Sequence, residues 1–527
     1  MKVKKIPFEQ TQSFPRFILD YLSESPYLDP FYHRKVSIQN FNAQLIEKHK
    51  QGVNREVLVD VLKEQYQDFP SFLKMSPQIA SLSSKKTFTV ATGHQLCLFT
   101  GPLYFIYKIF STINLSEQLN ISYPDNHFVP IFWMASEDHD FQEVNHLNLF
   151  GDKLVWNQNI KGAVGDIPTE SIAEIFPVLE KLLGSSPEAQ KLLNLFSSSY
   201  LEHQNLASAT RYLVDALFSK YGLLVLDAAT PQLKKLAIPI IQNDILLQNH
   251  KKMIEESSES LPSQAHVRDI NFFYMKSGLR ERIEKRGSRF HILNTELQFS
   301  IEEMKHEIEC YPEHFSPNVL MRPLYKELIL PNLAMIGGSA EINYWMQLKS
   351  TFAFHQIVYP ILVLRNSLLF IESKIAKKIK KLGFEPQDFF LKEQALHQKY
   401  ILKNSSVNLS LEHQIKQIHT IFRDILEKTK DPGLQSGIEA EKKRHINSLI
   451  KLEQKLKKAE KKNHEISLNQ ISLVKERLFP DMKLQERHDN MIPFFLKYGE
   501  SWMAGLKRDL NPLDPNFIIF IEEDPII

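Results

Sequence analysis

Cysteine is almost absent from this chain: Cys97 and Cys310 are the only two in 527 residues. Two thiols cannot build a disulfide framework or a cysteine-ligated zinc site, and such sparse usage suits a reducing cytosol. Glycine is scarce as well, at 17 residues, while Leu, Ile, Lys, Glu and Gln are plentiful. That bias weighs against a glycine-punctuated all-β sandwich and favours long helices. Neither sign of charge dominates, with 64 Lys+Arg against 62 Asp+Glu. A global electrostatic footprint for nucleic acid or an anionic membrane is thereby excluded, and any such patch must be local. Long apolar runs are missing too: those at 128–135 and 357–364 fall far below the ~20 residues a membrane-spanning helix needs. Pro7, Glu9 and Gln10 interrupt the sequence after the basic MKVKK start, which speaks against a secretory signal. With 43% hydrophobic and 24% charged residues, the expectation is a globular, soluble, cytoplasmic chain of several domains.

Texture divides the chain into six segments. Residues 1–84 place aromatic and charged residues at helical spacing between prolines, a helical N-terminal lead-in packed on the core. From 85 to 260 short apolar runs alternate with amphipathic stretches. The runs at 87–92, 129–135, 222–227 and 357–364 read as buried strands, and those at 102–119 and 340–354 as helices. Such alternation predicts an α/β fold with a parallel sheet, its core in two parts, 85–260 and 318–371, with ligands beyond the carboxyl ends of the strands. Between them, 261–317 breaks into polar-aromatic runs with turns at Ser277-Gly278 and Gly287-Ser288, a small β-containing insertion. In 372–480 Leu411, Ile415, Ile418, Phe422 and Ile425 step by heptad spacings. After the Asp431-Pro432-Gly433 breaker, Leu449, Leu452, Leu456, Ala459, Asn463 and Ile466 do the same. Continued, these steps reach Gln470 and Leu473, giving an a/d seam with polar interruptions at Asn463 and Gln470. Two heptad helices around a breaker predict an antiparallel coiled-coil hairpin, and 481–527 supplies a last strand that returns to the core. The lysine-rich face of 441–462 reads as a solvated flank of the seam rather than a nucleic-acid or acidic-partner surface.

Three blocks and one strand end concentrate polar chemistry. In the first block, Gly93, His94 and Gln95 follow a strand, and Thr100, Gly101 and Pro102 supply a capping hydroxyl, a small residue and a first-turn proline. A phosphate could accept the helix-terminal N–H groups there, the plain alternative being an ordinary cap. Lys108 lies within that helix as a solvated side chain, and Cys97 reads as a small core residue. Neither GxxxxGK[ST] nor GxGxxG occurs in this block. In the second block, Glu137, Asp138, His139 and Asp140 crowd the end of an apolar strand, which is costly unless a cation, an amine or solvent meets them. His139, Glu143 and His146 have the i, i+4, i+7 spacing of a metal-binding helix face, but no further ligand of diagnostic spacing accompanies them. Recognition of a substrate ammonium or sugar hydroxyl is the preferred reading, without a structural metal. In the third block, Arg322 can grip a carboxylate or phosphate. There Gly337 and Gly338 permit a tight turn, Ser339 can cap a helix, and Glu341, Tyr344 and Trp345 add a dipole partner, a donor and an aromatic platform. Asp227, at a fourth strand end, is a ribose partner or a turn cap.

The blocks GHQLCLFTGPLYFIYK (93–108), VPIFWMASEDHDFQEVNH (129–146) and RPLYKELILPNLAMIGGSAEINYW (322–345) resemble the cysteine-adding enzymes of bacillithiol biosynthesis, the BshC family. With the coiled coil, the resemblance covers essentially the whole chain. It implies a Rossmann-like, nucleotidyltransferase-related core carrying a connective-peptide-like insertion, and a coiled coil that makes a homodimer. It further implies a ligase that joins cysteine to the glucosamine amine of glucosaminyl-malate, the last step of bacillithiol synthesis. An activated cysteinyl carboxylate, and hence ATP with Mg2+ as its companion, follows from the chemistry of amide formation, and the polar residues of these three blocks, with Asp227, become pocket residues for nucleotide or substrate. The HxGH-type signature of the wider superfamily is replaced by Thr100-Gly101-Pro102, and no KMSKS-like loop is present. No nucleic-acid or membrane partner is expected. The competing classes are a metal-dependent hydrolase using the His139 cluster and a non-enzymatic coiled-coil scaffold or RNA-binding protein.

Overall fold

Five short, apolar segments lie side by side as a parallel sheet: β1 (Thr87–His94), β2 (His127–Met134), β3 (Leu224–Asp227), β4 (Asn332–Gly337) and β5 (Ile361–Leu364), in the order β3-β2-β1-β4-β5. The computed structural model describes residues 2–158, 161–258, 261, 265–405 and 409–523. Residues 262–264 of the expected insertion and 524–527 of the expected tail lie outside the described residues. Both faces of the sheet are covered, so its strands are continuous apolar runs rather than alternating ones. Ala91 and Ile131 pack into one core cluster, Phe132 and Val225 into a second, and Phe88, Val90 and Ile336 into a third. The direction of strand succession reverses between β1 and β4, which makes the carboxyl ends of those two strands the topological switch point.

Helix α1 (Tyr104–Ser122) follows β1, α2 (Met321–Ile329) leads into β4, and α3 (Ser339–Met346) leaves it. Strand β4 is absent from the sequence expectation because Asn332 and Gly337 bracket a run too short to stand out between two helices. Strand β5 begins at Ile361 rather than 357, since Pro360 has no N–H for the ladder. The segment 272–317 forms a separate five-stranded antiparallel sheet with one helix, Ile301–Cys310. Its turns at Gly278 and Gly287 have positive φ (+71° and +61°), where a side chain would be strained.

One expectation is corrected here. The lead-in is not wholly helical: Lys2–Pro7 is a strand. The tail strand Asn516–Ile521 packs Phe517 and Ile519 into the core cluster of Ala91 and Ile131, in a sheet apart from the central one. It pairs antiparallel with Lys2–Pro7 and parallel with Leu368–Ile371, tying the two ends of the chain together. In the coiled coil, α4 (Glu412–Leu426) and α5 (Pro432–Asn463) form the antiparallel hairpin, Asp431 capping α5 through the Leu434 N–H at 2.7 Å. Leu411 donates its N–H to Glu453 (2.9 Å), and the Phe422 ring meets His445 (5.7 Å). The half-buried stripe of α5 is therefore Ile438, Ile446, Leu449 and Glu453, while Leu452, Leu456, Ala459 and Asn463 are exposed beside it. A break at His464 starts α6 (Glu465–Leu478), which buries Leu468 and Ile471 and leaves Ile466 and Leu473 outside. A 32-residue helix presents more than one apolar stripe, and spacing alone does not say which one the partner helix covers.

Candidate active site

The switch point opens into a cavity of about 900 Å³. Gly93 and His94 end β1, Gly338 and Ser339 follow β4, and the insertion supplies the opposite wall through Phe273 and Arg280. Gly93 packs closely on β2: a Cβ there would lie 3.1 Å from the Trp133 carbonyl oxygen, a tight contact. Lys108 is not solvated. It lies buried in α1 and reaches back to the Gly93 carbonyl (2.5 Å) and both oxygens of Glu341 (2.8 and 3.0 Å). Glu341, in the first turn of α3, also accepts the Gly338 N–H at 2.8 Å. Burial alone would raise its pKa, but Lys108 and that N–H outweigh burial and hold the carboxylate below its ordinary range. One ion pair thus clamps the β1 side of the switch point to the β4 side. Arg365, just past β5, repeats the device: it pairs through two hydrogen bonds with the buried Glu486 (2.7 and 3.1 Å) and lies over the Tyr104 ring.

Two histidines in this wall are neutral for identifiable reasons. His94 Nδ1 is 3.0 Å from the Gln95 carbonyl, which can only accept, so Nδ1 carries the proton and Nε2 is left as an acceptor. Burial and Lys108 push its pKa down to about 4. His139 Nδ1 accepts from Arg280 at 2.6 Å, which leaves Nε2 as a donor, and burial with Arg280 lowers its pKa. Arg280 itself is stacked on Phe273 (3.9 Å) and pushed down to about 10 by burial and Arg322, remaining a cation at neutral pH. Asp138 accepts the His139 N–H (2.7 Å) and stands 3.8 Å from Arg322. Burial raises its pKa, and Arg322 with Arg280 more than reverses that.

Of the residues expected at a site, Gly93, His94, Gln95, Asp138, His139, Asp140, Arg322, Gly338, Ser339, Glu341, Tyr344 and Trp345 line this one cavity. Thr100, Gly101 and Pro102 do not. Asn490 donates to the carbonyls of Phe99 and Gly101 (2.9 and 2.7 Å), the Leu103 N–H goes to Asp489, and Thr100 is buried. The anion site expected at that helix start is filled by the C-terminal segment. Glu137 turns away to the buried Lys234 (2.6 Å), and Asp227 accepts from Ser136 (2.6 Å) and the Ala229 N–H, acting as a turn cap. Gly337 is packed on Met335, whose Sδ would be 2.8 Å from a Cβ. Ser339 lines the cavity but does not cap α3; Gly338 is the N-cap residue and Glu341 does the capping. The metal-face spacing is not realised, because the helix covers only Phe141–Val144, His139 precedes it and His146 begins a strand. Among the described residues no group of three or more His, Cys, Asp or Glu could hold a metal ion. Cys97 is buried, its thiol pushed up to about 12 by burial.

Sequence reasoning missed most of the cations. Lys326, Arg280 and Arg365 line the cavity, as do the exposed Arg268, Arg282 and Arg487, which make no ion pair among the described residues. With Lys108 and Arg322 they outnumber the cavity carboxylates Asp138, Asp140, Glu143 and Glu341 two to one. Arg365 was within reach of the strand-end rule, standing immediately after the apolar ILVL run. Arg280 and Arg487 arrive from the insertion and the C-terminal segment, and no local pattern marks them. A low-dielectric cleft lined by this excess of cations attracts carboxylates and phosphates.

Comparison with known proteins accords with this architecture. The family model described as "Bacillithiol biosynthesis BshC, N-terminal Rossmann-like domain" matches residues 1–366, and "Bacillithiol biosynthesis BshC, C-terminal coiled-coil domain" matches 368–522. Relatives named "Putative cysteine ligase BshC" match nearly end to end. The one from Flavobacterium psychrophilum is 43% identical, covering 98% of each chain. That from Christiangramia forsetii is 40% identical over 98% of this chain and 99% of its own, and that from Cytophaga hutchinsonii 37% over 97% of each. A solved arginyl-tRNA synthetase-like structure from Campylobacter jejuni aligns over 86% of this chain and 98% of its own, at 9% identity and a TM-score of only 0.22. A parallel sheet with a cationic cavity at its switch point, a coiled-coil hairpin, and family models that together span both place this chain in the bacillithiol biosynthesis BshC family.

Proposed function

We propose that the protein is a cysteine ligase whose cavity at the β1–β4 switch point joins cysteine to the glucosamine amine of glucosaminyl-malate. The observation that carries this reading is the excess of cations in that cavity, in a chain matched from end to end by cysteine-ligase relatives. Glucosaminyl-malate is a dicarboxylate, and Arg268, Arg282 and Arg487 offer guanidinium groups that no carboxylate among the described residues has taken. Asp138, Asp140 and the His139 Nε2–H supply the acceptors and donor that a sugar's hydroxyls need. Phosphate groups of ATP suit the same cationic walls, and ATP would serve by converting the cysteine carboxylate to a mixed anhydride. The Lys108–Glu341 and Arg365–Glu486 pairs are scaffold: the first joins the β1 and β4 ends, the second holds the C-terminal segment to the end of β5, and each leaves little of its charge for a ligand. The exposed Leu452 and Leu456 stripe of α5 supports a homodimer through the coiled coil. The test is incubation of the pure protein with cysteine, glucosaminyl-malate and ATP. The expected outcome is the condensed thiol by mass, with ATP consumed in step; absence of that product with all three substrates present would refute the ligase reading.

A further inference from the structure

Four lysines are buried among the described residues, and three of them are fully engaged. Lys108 is held by Glu341 and the Gly93 carbonyl, Lys234 by Glu137 and the Phe315 carbonyl, and Lys48 by Glu327. Lys326 is the exception. It is 6% exposed and lines the cavity, and among the described residues its side chain makes no hydrogen bond; its Nζ lies over the Trp345 ring at 4.6 Å, and an oxygen of Glu327 is 4.0 Å away. That carboxylate is committed elsewhere, to Lys48 and to the Asn332 side chain at 2.7 Å. Glu341 is committed to Lys108, and Arg322, one turn earlier on α2, faces Asp138. A buried ammonium with no firm partner is expensive unless it can shed its proton or hold a ligand.

We infer that Lys326 is a catalytic residue, the general base that removes a proton from the acceptor amine as that amine is acylated. The inference rests on the ligase reading above. In this step the unprotonated amine nitrogen attacks the carbonyl carbon of the cysteinyl mixed anhydride and a C–N bond forms. The proton on the now positive nitrogen passes to the neutral Lys326 amine. The carbonyl C–O bond to the phosphate then breaks, and the phosphate leaves with the electron pair. Lys326 afterwards returns its proton to solvent through the cavity. Burial, with Lys108 and Lys48 nearby, lowers the Lys326 pKa to about 8 against the opposing pull of Glu327 and Glu341, so an appreciable share of the amine is neutral near physiological pH. Trp345 supplies a face that tolerates both protonation states, attracting the ammonium without hydrogen bonding the amine.

The test compares two acceptors, glucosaminyl-malate and hydroxylamine, whose weakly basic nitrogen becomes acidic enough on attack to lose its proton to water without a positioned base. Lys326→Arg keeps the positive charge and removes the base; Lys326→Met removes both. In both variants the ratio of amide to cysteine hydroxamate formed is expected to fall by roughly 100-fold or more. The wild-type amide rate should rise with pH through about 8 more steeply than the residual rate of the variants, which keeps only the acceptor amine's own titration. Amide formation by Lys326→Arg within threefold of wild type would overturn the inference, as would equal loss of both products in two folded variants. A wild-type protein that forms neither product would instead overturn the ligase reading itself, a different pattern from either.

Discussion

At the scale of single residues, the loop between β1 and α1 is held by packing and not by a ligand. Gly101 has φ +61°, and a Cβ there would lie 2.5 Å from Cys97 Cβ. Gly101→Val is therefore expected to destabilise the fold by ~3 kcal/mol or more, read as a lowered thermal midpoint, with no selective loss of ligand affinity in whatever remains folded. An unchanged midpoint would count against this packing. His94 carries a second residue-scale prediction. Its folded pKa of about 4 lies below the ordinary 6.5, so the unfolded chain binds the proton first as pH falls. Stability is full above 6.5 and is lost from there down towards 4, at up to about 1.4 kcal/mol per pH unit from this group. Denaturation midpoints for the wild type and His94→Gln across that window check this: the variant should show the shallower dependence, and parallel curves would contradict it. His94, Asp138 and Glu341 were legible in the sequence because strand-end polar residues in a parallel α/β fold converge on one place. Thr100, Gly101 and Pro102 satisfied the same local rule, yet Asn490, almost 400 residues later, takes the Phe99 and Gly101 carbonyls, and Asp489 takes the Leu103 N–H. Competition from distant chain of this kind leaves no local trace.

Among elements, the clearest lesson comes from α5. The heptad steps at Leu449, Leu452 and Leu456 correctly announce a long amphipathic helix, but the helix has an inner stripe facing α4 and an outer one facing solvent. Leu449 lies on the first, and Leu452 and Leu456 on the second. These stripes separate two effects of mutation. Phe422→Ala removes a hairpin contact and should lower the stability of the coiled coil by ~1–3 kcal/mol in thermal unfolding, without changing mass. Leu452→Glu leaves the hairpin intact; in the homodimer we propose, it should shift the protein to monomer in sedimentation at micromolar concentration. A wild type already monomeric there would dispose of the dimer and leave the outer stripe without that partner. Strand β4 shows the opposite limit of sequence reading. It is six residues long between two helices, and only the pairing of Ala334 with Val90 and Ile361 on its two sides makes it the centre of the site.

Across the whole molecule, the cavity is an assembly of distant stretches of chain. The β1–α1 and β4–α3 connections supply its floor, and Lys108 with Glu341 joins them. The insertion brings Arg280 to His139, and the C-terminal segment brings Glu486 to Arg365 and Arg487 to the wall. Alternating apolar and amphipathic runs made the parallel sheet and its switch point readable, whereas the cationic character was not, because half of it arrives from outside the sheet. The account's central claim is that this cavity is where the acidic amino sugar is acylated. The most direct measurement is steady-state formation of the cysteinyl amide by wild type and Arg322→Ala, with thermal midpoints taken on the same samples. Among the described residues the 3.8 Å contact with Asp138 is the one ion pair that Arg322 makes, so the fold should persist. The account predicts a rise in KM for glucosaminyl-malate of tenfold or more, corresponding to about 1.4 kcal/mol or more of lost anion binding. An Arg322→Ala protein that matches wild type in both KM and kcat would place the reaction somewhere other than this cavity.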